Sequence, residues 1–221
     1  MLGGLVQPVL TFLLLLGPAP TLAWWRAWAL IGFSAVATAA SLAVLHRDAP
    51  ELLAERFKPP IQRGQPRADR LVVTVFIAAF VGAILFIPKD VFAWHVLPPP
   101  GVVGAGLGLV LYLLGCWIVL AAMRANAFAV PVVKDQTDRR QRVADSGPYA
   151  VVRHPMYAGV ALALIGTPLW LGSTAGALVA LVPIALLMVR IGIEERFLRA
   201  TLDGYVAYAA RVRARLVPGV W

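Results

Sequence analysis

Ser146-Gly147-Pro148-Tyr149-Ala150-Val151-Val152-Arg153-His154-Pro155-Met156-Tyr157-Ala158-Gly159 is polar, cationic and rich in turn formers, and a long apolar run follows it directly. Gly147-Pro148 and His154-Pro155 mark a turn or a helix start, because proline fixes φ and suits a helix's first turn. Two tyrosines, an arginine and a histidine lie within this stretch. Such groups can hold a polar ligand at a membrane surface. A second cluster, Arg190 with Glu194 and Glu195, stands where a later apolar run ends. The remainder of the chain reads as the scaffold that brings the two clusters together.

Working outward, 60% of the 221 residues are hydrophobic and only 14% are charged. A soluble domain does not need so many helices that are apolar on every face. Apolar runs of near-membrane length make the bilayer the expected solvent. The expected fold class is an all-α integral membrane protein of about six spans: 2–23, 28–45, 71–87, 101–123, 155–171 and 174–189. Thr21-Leu22-Ala23 resembles a leader cleavage site, but no basic stretch precedes the first run, so it is read as a span. The last two runs form a tight hairpin at Gly172-Ser173, and 194–221 is expected to be a cytoplasmic, mostly helical segment. Gly101, Gly104, Gly106 and Gly108 predict close helix contact at the fourth span.

The net charge of +9 is unevenly placed. Eighteen of the 20 Lys and Arg fall in 46–70, 124–153 and 190–221, leaving Arg26 and Lys89. That alternation is the positive-inside pattern, with acidic lipid headgroups rather than nucleic acid as the counter-charge. It places both termini and loops 46–70 and 124–153 in the cytoplasm, with 88–100 outside, as in a bacterial inner membrane. Cys116 is the single cysteine, which excludes an internal disulfide or a cysteine-based zinc set. No metal site is expected.

A hairpin sets the inner ends of the fifth and sixth spans side by side, so the two clusters should meet at one depth. A carboxylate, a histidine, arginines and tyrosines meeting there suit a zwitterionic cofactor with a flat ring. The competing reading makes them interfacial anchors, with snorkelling arginines and belt tyrosines.

Ser146-Gly-Pro-Tyr149-x-x-x-Arg153-His154-Pro155-x-Tyr157-x-Gly159, then Glu194-Glu195-x-x-Leu198, Gly204-Tyr205-x-x-Tyr208 and Arg215-Leu216-x-Pro218, resembles the isoprenylcysteine carboxyl methyltransferase family. The prokaryotic branch, with its phospholipid-methyltransferase relatives, is nearest in style. A weaker echo lies in Pro50-Glu51-Leu52-Leu53-x-x-Arg56. The resemblance implies an integral-membrane methyltransferase: a four-span scaffold in 1–123 and a catalytic region in 124–221, forming one membrane domain. Its cofactor would be S-adenosylmethionine, held by Lys134, Gln141, Arg142, Val143, Ala144, Tyr149, His154, Pro155, Met156, Tyr157 and Glu194. Arg190 would be the substrate-side arginine, and Arg153, Arg190 and Glu194 the catalytic set. The partners implied are membrane lipids and a lipophilic acceptor entering from the bilayer, bearing a carboxylate or thiol, isoprenylcysteine-like or a small lipid. Two alternatives stay open at this point: a membrane NADPH-dependent reductase of the sterol-reductase type, and a lipid-binding protein without catalysis.

Overall fold

Within a bilayer every backbone N–H and C=O must be satisfied internally, and apolar runs free of interior charge meet that demand as helices. The structure is a computed structural model that describes residues 3–62 and 64–221. Met1 and Leu2 of the first span and Arg63 of the first basic block lie outside them. Every regular element among the described residues is helical. In chain order these are α1 (Gly3–Leu16), α2 (Trp25–Asp48), α3 (Pro50–Arg56), α4 (Arg67–Lys89), α5 (Gly101–Ala125), α6 (Pro155–Leu171), α7 (Thr174–Val179), α8 (Leu181–Thr201) and α9 (Tyr205–Arg211).

Among the described residues four helical stretches are long and apolar enough to cross a membrane: Trp25–Asp48, Arg67–Trp94, Gly101–Ala125 and Thr174–Thr201. α6 and the apolar part of α1 are shorter. The all-α membrane class expected from the sequence is therefore what the chain forms. Three boundaries differ from expectation, each for a local reason. α1 ends at Leu16 rather than near residue 23, because Gly17-Pro18-Ala19-Pro20 cannot continue a helix. The last long stretch does not stop at residue 189 but runs on to Thr201, since nothing between Val189 and Arg199 breaks it. Beyond Thr201 only α9 is α-helical, and Val212–Trp221 folds back instead as turns.

α5 and α6 pack against each other through glycines spaced seven residues apart on each helix: Gly108 and Gly115 on α5, Gly159 and Gly166 on α6. A Cβ on Gly166 would sit 2.5 Å from Gly108 O, and one on Gly159 would sit 2.7 Å from Gly115 O. The backbones touch, so no side chain fits between them. Of the four glycines read from the sequence only Gly108 makes such a contact. A Cβ on Gly101 or Gly106 would meet nothing, and one on Gly104 would meet only Pro100 of its own turn.

A buried clasp closes the end of the bundle at the α6–α7 turn. Ser173 Oγ donates to Asp90 Oδ2 at 2.5 Å, Val96 N–H donates to Oδ1 at 2.9 Å, and Gly176 N–H donates back to Ser173 Oγ at 2.8 Å. Gly172, at φ +100, gives the α6–α7 turn the left-handed step it needs. This fixes the hairpin and hence where the start of α6 and the C-terminal end of α8 meet at the opposite end of the bundle.

Candidate functional site

The start of α6 and the C-terminal end of α8 carry the polar residues, and two ionic hubs set their positions. Glu195 on α8 is 3% exposed. It accepts from Arg153 Nε at 2.6 Å and Arg215 Nε at 3.3 Å, and its Oε1 lies 3.2 Å from His154 Nε2. Arg153 also donates to the Val212 and Arg213 carbonyls at 2.8 and 2.7 Å. The Arg153 and His154 N–H groups bond Ala214 O and Arg215 O, both at 2.9 Å. The returning C-terminal segment is thereby stitched to the start of α6.

The second hub was not legible in the sequence. Asp69, near the start of α4, has no exposed surface. Its Oδ2 accepts from Gln65 Nε2 at 2.6 Å and Val133 N–H at 3.1 Å, while Oδ1 accepts from Arg190 Nε at 3.0 Å. Arg190 Nη2 donates to Pro131 O at 2.6 Å. One buried carboxylate thus ties α4, α8 and the 131–133 loop together. A lone acid opening a long apolar run, four residues after a glutamine, was the signal available for it.

Between the hubs lies a cleft lined by the 126–144 loop, the 3₁₀ turn Gly147–Ala150, the start of α6, the C-terminal end of α8 and α9. Lys134, Gln141, Arg142, Val143, Ala144, Tyr149, Arg153, His154, Met156, Tyr157 and Glu194 all line it. Pro155 and Arg190 do not line it. Pro155 caps the α6 entry, and Arg190 stands behind the wall with its guanidinium carbon 5.7 Å from the Tyr157 ring centre. Lys134 sits at the rim with its ammonium 2.6 Å from Glu55 Oε2 and 3.0 Å from Gln62 Oε1, so much of its charge is already answered. The sequence reading missed Asn126, Phe128, Gln136 and Phe197, which also line the cleft. They lie in non-periodic or interfacial sequence, where pattern carries little information.

Glu194 and Glu195, adjacent in sequence, have separate tasks. Glu195 is spent on the buried hub. Glu194 faces the cleft, where Tyr157 Oη donates to its Oε2 at 2.6 Å while Oε1 has no protein partner among the described residues. The Tyr205 hydroxyl is buried against the cleft and has no hydrogen-bond partner either. Tyr208 Oη donates to Tyr149 O at 2.8 Å, and His154 stacks on Tyr157 with ring centres 5.6 Å apart. Burial raises the Tyr149 and Tyr205 hydroxyls and pushes Tyr208 up to about 12. These tyrosines stay neutral at physiological pH, as hydrogen-bond donors rather than bases.

Residues 103–203 match the family model described as phospholipid methyltransferase. The match begins in α5 and ends just past α8, so it takes in both glycine-paired helices, the cleft loop and the Glu194 face. Over that stretch the chain is similar to membrane enzymes that methylate lipids. No curated protein matches the chain.

The cleft's donor set suits S-adenosylmethionine. A free carboxylate oxygen on Glu194 fits an ammonium, and the orphaned Tyr205 hydroxyl awaits a partner. Phe128, Tyr149 and Tyr208 present ring surface for a flat base, and Arg142 is an exposed cation at the rim.

Proposed function

We propose that this protein is an integral-membrane methyltransferase that uses S-adenosylmethionine and acts on a lipophilic acceptor. One observation carries the reading: the cleft, most of whose lining falls within the family match, holds a Glu194 Oε1 without a protein partner among the described residues and, just beyond the match, the buried unpaired Tyr205 hydroxyl, a set that complements a zwitterionic cofactor. When bound, that cofactor supplies an electrophilic methyl group on a sulfonium. Glu194 holds its ammonium, and Tyr157 fixes the rotamer of Glu194 through the 2.6 Å bond. Arg153 and His154, locked to Glu195, set the floor of the cleft and serve as positioning residues. Because the tyrosines are held neutral and His154 is engaged with Glu195, the cleft offers little basic power. The protein's contribution is then alignment and exclusion of water, which favours an acceptor that arrives as an anion, a carboxylate or a thiolate.

The basic blocks support a cytoplasmic cleft, and in this reading 124–221 is the catalytic half carried by the 1–123 scaffold. Glu55 and Asp69 show the first half bracing the cleft loop as well. In a Cys116→Ala background, cysteines introduced into 124–153 should label only from the cytoplasmic side. Labelling from outside contradicts the orientation. Equilibrium binding to the purified chain tests the function, with S-adenosylhomocysteine expected to bind and NADPH not. NADPH binding without S-adenosylhomocysteine binding would make the protein a reductase, and binding of neither would leave a lipid-binding protein.

A further inference from the structure

Beside the cleft lies a second, larger cavity of about 490 Å³, set among α1, α2, α5 and α6 and lined mainly by apolar side chains such as Leu14, Leu42, Val119 and Leu164. A few hydroxyls, from Ser34, Thr38 and Tyr112, interrupt that lining. Its wall includes Leu53, Arg56 and Phe57, from the α3 motif that the cleft leaves unused. Arg56 Nη1 donates to Ala129 O at 2.8 Å and lies 3.7 Å from Met156 Sδ. Ala129 and Met156 both line the cleft, so Arg56 stands at the partition between the two spaces.

Apart from the exposed Arg142 at its rim, the other cations around the cleft are paired with carboxylates. Arg153 and Arg215 pair with Glu195, Arg190 with Asp69, and Lys134 with Glu55. Arg56 pairs with no carboxylate among the described residues, and the neighbouring Glu55 is taken by Lys134 and Lys58. Arg56 is half-buried, and its partial desolvation without a carboxylate partner lowers its pKa. A planar fork of five N–H donors, with one bonded to a carbonyl, is complementary to an oxyanion and binds it in bidentate fashion.

We propose that Arg56 binds the oxyanion, phosphate or carboxylate, of an amphiphile whose apolar chain fills the cavity among α1, α2, α5 and α6. Arg56 would then determine acceptor specificity, holding the head group at the partition where the methyl-donor cleft begins. Arg190, already paired with Asp69 behind the wall, is the weaker candidate for that task. What the amphiphile is for rests on the methyltransferase reading, but its binding does not.

The test uses the full chain in neutral maltoside micelles, titrated calorimetrically with dodecyl phosphate, dodecanoate and, as a cationic control, dodecyltrimethylammonium. At least one oxyanion amphiphile should bind ten or more times tighter than the control. Preference for phosphate points to a phospholipid, and preference for carboxylate to a carboxylic lipid. Arg56→Gln should abolish the preference while S-adenosylhomocysteine affinity stays within about threefold. Arg56→Lys, which keeps the charge but not the fork, should retain part of it. Leu42→Trp, which fills the cavity and leaves Arg56 intact, should weaken both oxyanion amphiphiles at least tenfold, and keeps the test open if Arg56→Gln does not fold. No preference over the cation in the wild type, or an unchanged preference in a folded Arg56→Gln or Leu42→Trp protein, overturns the inference. Loss of S-adenosylhomocysteine binding in the wild type with the Arg56-dependent preference intact would instead sink the methyltransferase reading alone.

Discussion

At the scale of single residues, the account turns on which charges are spent on structure and which face the cleft. Glu194→Gln removes a charge-assisted bond to the cofactor's ammonium, worth about 1.5–3 kcal/mol, and should weaken S-adenosylhomocysteine about 10- to 150-fold. Tyr205→Phe should weaken it too, with Tm unchanged or raised, since a buried hydroxyl without a partner contributes nothing to the unliganded fold. For Arg190 the expected loss is of stability. Truncating it to alanine strands the fully buried Asp69 carboxylate, at a cost of about 3–5 kcal/mol. Adding Asp69→Ala should recover part of that loss, a coupling that thermal melts of the four proteins in the cycle can read. Should Arg190→Ala leave Tm unchanged while lowering kcat/KM 100-fold, Arg190 faces the acceptor as the family resemblance implies. The sequence made the 146–159 patch and Glu194 visible, because polar groups at the ends of apolar runs stand out against their surroundings. It could not separate Arg190 from Glu194, four positions apart on one helix. In the fold one turns to Asp69 and the other to Tyr157, partners 121 and 37 residues away. Arg56 entered the sequence reading only through the weak Pro50–Arg56 echo, because what marks it is the lack of a carboxylate partner among the described residues, which no spacing encodes.

At the scale of elements, the α5–α6 contact sets the cleft's frame, because α6 delivers His154 and Tyr157 from a backbone held directly against α5. Gly115→Val would drive a side chain into the Gly159 and Ala163 backbone, where no flexible neighbour can yield. Overpacking of ordinary cores costs about 1–3 kcal/mol, and this site should reach or exceed the top of that range. Gly106→Ala on the same helix, facing open space, should leave the melting temperature nearly unchanged. The sequence showed that α5 is glycine-rich but not which glycines face a partner, since that depends on the reciprocal pair in α6. The cleft loop is held more lightly, in part by the Glu55 clasp. Lys134 and then Lys58 hold the Glu55 carboxyl below its ordinary value. A lowered folded-state pKa stabilises above the ordinary carboxylate range and is lost as pH falls through the lowered value. The stability gap between wild type and Glu55→Gln should therefore be constant above the ordinary carboxylate range and close as the pH falls below it. A gap that persists in acid would mean that Glu55 acts through packing rather than charge.

At the scale of the whole molecule, four long apolar helices and two shorter ones make a frame, and the polar work is gathered at one end of it. Length and hydropathy made the frame legible, but the ends of its helices depended on local breakers such as Gly17-Pro18-Ala19-Pro20. The return of 212–221 onto residues 153 and 154 joins backbone bonds to the Arg153 and Arg215 side-chain contacts, a long-range pairing that no local spacing encodes. The arrangement brings a polar cleft within one residue layer of an apolar cavity, with Met156 and Arg56 at the partition. A water-soluble methyl donor and a lipid acceptor can meet at such a place without either crossing the bilayer. The central claim is tested most directly by following radiolabelled methyl from S-adenosylmethionine into the lipid phase of nanodiscs carrying the purified chain. The account predicts label in organic-extractable lipid, growing with time in the wild type and reduced at least tenfold in Glu194→Gln under subsaturating donor. Wild-type chain that binds S-adenosylhomocysteine yet transfers no label to any lipid or lipophilic carboxylate or thiol, or a Glu194→Gln protein that transfers as fast, would contradict it.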